Sequence, residues 1–581
     1  MNKNLKTNSL SETILKQLFG LCEKLPSLQE QHIISYRDLL ADIKSVGAWP
    51  MIDPDFDESQ FELTRYLENM AGNLTIRNYG LFTLNIHALV AILNDNDAYI
   101  LPDGTREKLL EHVKNIIAEK GTKIDIKTIE KDMKDVDEFR QNLSQLGTYY
   151  DLKHAEDFEG FVSMNRPLIN FEQILRNLVN PKNPEQWEII KKNVYTSPTK
   201  WYLTENGQFH QLIQAIPPRT LANFLILRIL QNALNLVKFT PDTKCGDVVI
   251  GRMPKAALRI YVRNFFKKEN LKLGSELVTR IMFEYVKMFN SSTWLHQETK
   301  DSAISKIKKM RSVVGYPDEF EAPGALDKVY EDLFNMSPND SFYTLLRKID
   351  GFDLKRQMEL VTHRPSLSFP TLVQSNAFYL NYYNMFVLSV PIIDEPFFSA
   401  SLPSIARLAA VGFTIGHEIG HAFDHYGRQF DGDGKRVNWW SKEQEMEYHG
   451  REKCLIRQYQ GYDAPKYGKG LDGRRVSKEN IADLLGITTT WMAYKSLKDV
   501  ADQPSIIGFE DYSPEKLFFH IVALKSCSTY DTLSLNERLN RVHPVNNFRV
   551  NGVFANMEAF SEAFQCPIGS PMNPEEKCTF F

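Results

Sequence analysis

The sequence contains no apolar run approaching the roughly 20 residues that a membrane-crossing helix needs, so no transmembrane segment can be read from it. Its N-terminus, MNKNLKTNSLSETILKQLFGLC, lacks the apolar stretch of a secretory signal, and the chain by itself reads as soluble. Cysteine is scarce, with 6 in 581 residues and none in a CxxC pair, which argues against a cysteine-built zinc site. An excess of one charge is lacking too. The net charge is −4 and the signs are interspersed, so neither nucleic acid nor an anionic membrane surface is an expected partner. There is no internal repeat and no low-complexity tract. What is present, 43% hydrophobic and 24% charged residues, is the balance of a globular protein too long for one ordinary domain.

Residues 1–365 read mainly as helices separated by polar loops. Leu221 to Val237 (LANFLILRILQNALNLV) is too evenly apolar for a surface helix and belongs in a core, and Leu277 to Phe289 behaves similarly. Prolines and serines between Arg364 and Pro370 interrupt the helical pattern and mark a boundary, leaving 366–581 as the second region. There, Ser375 to Val390 (SNAFYLNYYNMFVLSV) favours strand. Pro403 opens a long helical stretch that ends at Gly427 as a C-terminal cap, and a second helix is expected from Lys478 through Leu497.

The first of these helices carries His417-Glu418-Ile419-Gly420-His421, an HExxH pattern. At about 100° per residue, positions four apart lie roughly 40° apart around the helix, so both imidazoles can reach one ion. Glu418 projects nearby and can take a proton from water. The pattern arises by chance in roughly a few per cent of chains this long, and the plain alternative is a helix with two half-buried histidines. Its small flanks, Gly416 and Gly420, count against that alternative. Glycine inside a helix costs about 1 kcal/mol against alanine, which makes sense if something packs close to the backbone.

A catalytic zinc needs a third protein ligand and one open position. The spacing with glycine three and histidine six residues after His421 is absent, since Asp424 and Gly427 stand there. The spacing that places a glutamate downstream meets Trp440 instead. The remaining candidate is Glu479 in KENIAD. Asp483 lies four residues on, on the same helix face, so one of the two can ligate while the other accepts a hydrogen bond from a ligating histidine. A solvated acidic face is the alternative for this pair.

Taken together with the motifs around them, these residues resemble those of the neprilysin family of zinc endopeptidases. GHEIGHAFD, GRQFDGDGKRVNWW, ENIAD, the NAFY at Asn376, the PFFSA at Pro396 and the tail HPVNNFRVNG…EAFQCPIGSPMNPEEKC carry the likeness. It is strong from Asn376 to Cys578 and weaker upstream, as in KCGDVVIGRMPKAALRIYVR around Cys245. The resemblance implies a mainly α, two-lobed fold: a thermolysin-like zinc catalytic lobe with a small β part, and a large helical lobe enclosing a central cavity. It implies one zinc per chain on His417, His421 and Glu479, with Glu418 as general base. Asp483 and Asp424 would orient the histidines, Asn376 and the backbone of Ala377 would hold an extended peptide, and His543 would stabilise the oxyanion. Arg549 would bind a substrate carbonyl. The expected activity is hydrolysis of internal bonds in short peptides. A non-catalytic, peptide-binding family member is the alternative, and a helical scaffold with a fortuitous HExxH is a third reading.

The sequence departs from the family pattern at Lys525-Ser526-Cys527, where a tryptophan usually precedes the cysteine and lines the pocket for the residue after the cut. Losing that wall should weaken any preference for bulky apolar residues. SVPIIDE before Pro396 and the terminal Phe581 also differ. Read without the family, six unrelated buried thiols is the plain alternative to a set of disulfides. By resemblance, Cys22 pairs with Cys245 and Cys454 with Cys578. Cys527 and Cys566 would bond to cysteines upstream of this chain, or stay free, or pair with each other. An N-terminal segment absent here is therefore expected to anchor or export the full-length form, as a membrane or secreted ectoenzyme facing outside. Sequons at Asn73, Asn142, Asn290, Asn335 and Asn339 permit glycosylation.

Overall fold

The computed structural model describes residues 9–25, 34–87, 90–95, 104–146, 158–166, 168–179, 185–196, 207–238, 242–361, 373–462, 471–498, 506–527, 537 and 539–581. The described residues are mainly helical, with two three-stranded sheets. The chain divides into two compact units, Met1–Ala256 with Gly324–Ser368, and Ala257–Pro323 with Phe369–Phe581.

The first unit is built around the helix Pro218–Leu236, in which every residue from Thr220 to Leu230 is buried. Proline sits in its first turn, where a missing N–H removes no intrahelical bond. This is the all-round core helix that its apolar sequence requires. Cys22 and Cys245 form a disulfide that ties the helix Leu10–Cys22 to the helix Cys245–Arg252.

The second unit holds every candidate site residue. Its helix α1 (Glu269–Ser291) buries one face only, leaving Phe283 57% exposed, so the apolar stretch from Leu277 is amphipathic rather than wholly internal. Helix α2 (Gln297–Lys309) leads into strand β1 (Arg311–Val314). The stretch expected to form one strand is a hairpin of β2 (Ala377–Leu380) and β3 (Met385–Leu388), turned through Asn384 at φ 42°. β3 lies between parallel β1 and antiparallel β2, and all four of its side chains are buried, as suits a central strand. β2 is therefore an edge strand.

After the short helix Ser404–Arg407 and a wide π turn, helix α3 (Phe413–Gly420) carries the HExxH residues. The long helix α5 follows after α4 (Lys442–Gln460) and runs Gly473–Lys495, starting five residues earlier than its sequence suggests because Asp472 caps it. Glu479, Asp483 and Gly486 are spaced i, i+4, i+7, one stripe of α5. That stripe meets α3 at backbone contact. A Cβ added at Gly416 would lie 2.8 Å from the Gly486 carbonyl oxygen, and one at Gly486 would lie 2.7 Å from the His417 nitrogen. One at Gly420 would lie 3.0 Å from the Cα of Ala482. Small residues thus let two helices approach until their side chains share one centre. Gly486→Ala should push them apart. Overpacking of this kind costs about 1–3 kcal/mol, and the expected outcome is a lower melting temperature, read by calorimetry.

Helix α6 (Pro514–Leu524) and helix α7 (Asn546–Ala555) complete the site's surroundings, and the Cys454–Cys578 disulfide fastens α4 to the C-terminal tail. Cys527 and Cys566 are free. No helix among the described residues is long and apolar enough to cross a membrane.

Candidate active site

His417, Glu418 and His421 place possible ligand atoms within 4.8 Å of one another, all buried. The two Nε2 atoms are 3.1 Å apart. Glu479 on α5 brings its Oε2 to 3.4 Å from His417 Nε2 and 3.6 Å from His421 Nε2, closer than the 3.9 Å from His417 Nε2 to Glu418 Oε1. His543 Nε2 stands 3.0 Å from the same Glu479 oxygen, on a side chain 52% exposed. That oxygen is nonetheless buried without a hydrogen bond of acceptable geometry. Burial alone would raise the Glu479 pKa, but His417, His421 and His543 outweigh it and hold the carboxylate far below its usual range.

Each ligand-type histidine is held from behind. His417 Nδ1 lies 2.7 Å from Asp483 Oδ1, and His421 Nδ1 lies 2.8 Å from Asp424 Oδ2. A carboxylate accepts, so each Nδ1 is the donor, and each Nε2, once a bound metal displaces its proton, can turn a lone pair to the centre. Asp424 is itself fixed by accepting from the backbone N–H groups of Tyr426 (2.8 Å) and Gly427 (2.7 Å). Asp483 accepts from Arg549 through Nε (2.5 Å) and Nη2 (2.7 Å). Burial raises the Asp483 pKa, but Arg549 and His417 reverse the shift and keep it ionised. For His421, burial lowers the pKa while Asp424, Glu479 and Glu418 raise it to about 10. Asn376 and Ala377 stand at the start of β2, a strand packed against α3. Asn376 is exposed and its N–H lies 3.2 Å from Ser389 Oγ, whereas Ala377 is buried. Among the described residues no hydrogen bond ties either one to the histidine cluster.

A profile of Peptidase family M13 matches residues 376–580, and a second profile of the same family matches residues 2–317. The chain belongs to peptidase family M13. Neprilysin-11 of Caenorhabditis elegans is 26% identical over 642 aligned positions, spanning 100% of this chain and 73% of the relative. Neprilysin of Homo sapiens is 31% identical over 341 positions, spanning 58% of this chain and 45% of its own length. In fold, the chain resembles the zinc metalloprotease Zmp1 of Mycobacterium tuberculosis in its open state, with a TM-score of 0.67 at 16% identity, over 99% of this chain and 91% of that one.

Two features of this M13 site escape a reading of the sequence. The HExxH helix does not run on to Gly427. It ends at Gly420, and the chain turns sharply behind His421. Gly427 is not a cap there; an added Cβ would lie 1.8 Å from the His421 carbonyl oxygen. The turn is gathered by Lys306 on α2, buried, with Nζ donating to the carbonyls of Ala422 (2.8 Å), Gly427 (2.8 Å) and Phe430 (2.7 Å). Burial lowers its pKa, yet three carbonyl acceptors need the three N–H groups of an ammonium. The available signal was its spacing, since Lys306 falls on the buried stripe of α2 with Thr299, Ala303 and Ile307. The second feature is Lys525, which lies over α3 with its Nζ donating to Thr414 Oγ1.

Because Asp424 both orients His421 and pins the turn, Asp424→Ala should loosen metal binding. Loss of such a supporting partner costs roughly 10–100-fold in metal affinity, and competition with a fluorescent zinc chelator would measure it.

Proposed function

We propose that this M13 family member is a zinc endopeptidase that hydrolyses internal bonds of short peptides. The observation that carries the reading is the convergence of His417 Nε2, His421 Nε2 and Glu479 Oε2 on one buried point. A divalent cation lying among them would be held by all three at once. Their separations of 3.1, 3.4 and 3.6 Å are also close to the roughly 3.3 Å edge of a tetrahedron whose centre-to-ligand distances are about 2.0–2.1 Å, those of zinc with nitrogen and oxygen. Two imidazoles and one carboxylate, each imidazole backed by a second carboxylate, suit this ion.

Zinc held there would polarise the scissile carbonyl and lower the pKa of the attacking water. Glu418, adjacent in sequence to a ligand and buried, takes the water proton and returns it to the leaving amine. His543 is the donor at hand for the developing oxyanion. Arg549 spends Nε and Nη2 on Asp483, which leaves Nη1 to reach a substrate carbonyl. The edge strand β2, starting beside Asn376, offers main-chain groups along which a peptide can lie extended. Two disulfides favour an oxidising compartment, hence an enzyme facing the outside of the cell.

The test is zinc stoichiometry together with cleavage of an internally quenched short peptide. One zinc per chain, with turnover abolished by a chelator and restored by zinc, is the expected result. Zinc without turnover would leave a peptide-binding family member, and a chain that takes up no zinc would end the reading altogether.

A further inference from the structure

Helix α6 ends at Leu524, and the next side chain, Lys525, reaches back across α3. Its ammonium donates to Thr414 Oγ1 and lies 5.2 Å from the centre of the Phe413 ring. Thr414 and Glu418 are four residues apart on α3 and so share one face, about 6 Å apart along the axis. The ammonium therefore sits one helical turn from the proposed general base. Burial, helped by Arg549 and opposed by Asp483 and Glu418, brings its pKa down to about 8.

What the ammonium lacks is a counter-ion. Among the described residues, its hydrogen bond goes to a neutral hydroxyl and no carboxylate stands within salt-bridge distance. Arg549, the other cation near the base, already has its fork on Asp483. A desolvated ammonium held by one hydroxyl and the face of a ring keeps donors in hand, and an unpaired buried charge is costly until an anion arrives. The neighbouring residue, Ser526, is small and half-buried.

We propose that Lys525 is a specificity-determining residue that selects peptides carrying a carboxylate next to the bond being cut. The inference rests on the peptidase reading above. The carboxylate has two sources, an aspartate or glutamate side chain flanking the cut, or a free C-terminus close behind it.

The test uses the zinc-loaded full chain and quenched peptides identical except for Glu, Gln or Leu at the position on either side of the cut, with a further pair ending in a free acid or an amide. A hydrogen bond to a charged group is worth about 1.5–3 kcal/mol, so kcat/KM for the carboxylate peptide should exceed that for its neutral isostere by roughly 10–100-fold. Lys525→Met should bring the ratio near one, and Lys525→Arg should keep part of it. Taking the ratio within each variant cancels any general loss of activity or folding yield. A preference confined to the Glu series, or to the free-acid pair, supports the proposal and identifies the source. Equal cleavage of Glu and Gln peptides by the unaltered enzyme, with acid and amide also equal, overturns it while leaving the peptidase reading standing. A Lys525→Met protein that retains the full ratio overturns it as well, because the lysine would then serve only the local charge balance. Failure of the zinc-loaded chain to cleave any of the peptides removes the peptidase reading, and this inference with it.

Discussion

Glu418→Gln leaves the protein folded and zinc-loaded while lowering kcat by about 10²–10⁴-fold, the span that a positioned general base contributes. The amide matches the carboxylate in size and cannot accept the water proton. Glu418 also lies outside the closest ligand set, since Glu479 Oε2 approaches His417 Nε2 to 3.4 Å against 3.9 Å for Glu418 Oε1. Metal content and turnover should therefore separate cleanly. Steady-state kinetics on a quenched peptide, paired with elemental analysis of the same sample, reads both. Near-normal turnover in this variant would remove Glu418 from the role assigned to it.

Glu479→Ala gives the opposite pattern, with activity and metal lost together. The substitution removes one of three donors from a catalytic-type centre. It should cost more zinc affinity than the roughly 10–100-fold expected from losing a supporting partner such as Asp424. His417 and His421 stay in place, because Asp483 and Asp424 hold them from behind. Dialysis against graded chelator would show the variant giving up zinc at concentrations that leave the Asp424→Ala protein loaded. A Glu479→Ala chain that kept its metal under those conditions would exclude this carboxylate as the third ligand.

The two expectations differ because the two glutamates, both buried, are tied to the centre in different ways. Glu418 belongs to the same helix as the histidines, so its place follows from being next to His417. Glu479 arrives from α5, and its approach depends on Gly416 and Gly486 letting two backbones meet. The sequence signals the pairing of these helices only as glycines that are expensive within a helix. Contact between them supplies the reason for that expense.

Local spacing was enough to place His417 and His421 on one face of α3, and Glu479 and Asp483 on one face of α5. Helical geometry sets those relations within a turn or two, whatever the rest of the chain does. The evenly apolar stretch from Leu221 was legible as a core helix, whereas Ser375 to Val390 was legible only as strand-forming, not as the hairpin of β2 and β3 that it makes. The disulfides Cys22–Cys245 and Cys454–Cys578 follow the resemblance to the family, because no local rule relates cysteines so far apart in sequence.

Tertiary structure alone decided the remainder. It ended the HExxH helix behind His421, where three carbonyls turn to the ammonium of Lys306 and the Asp424 carboxylate caps the turn. It grouped Ala257–Pro323 with the segment that carries the HExxH residues rather than with the residues around it. It also set Lys525 a single turn from Glu418. Each of these depends on side chains brought together from distant parts of the chain, and periodicity, which relates only near neighbours, carries no information about them.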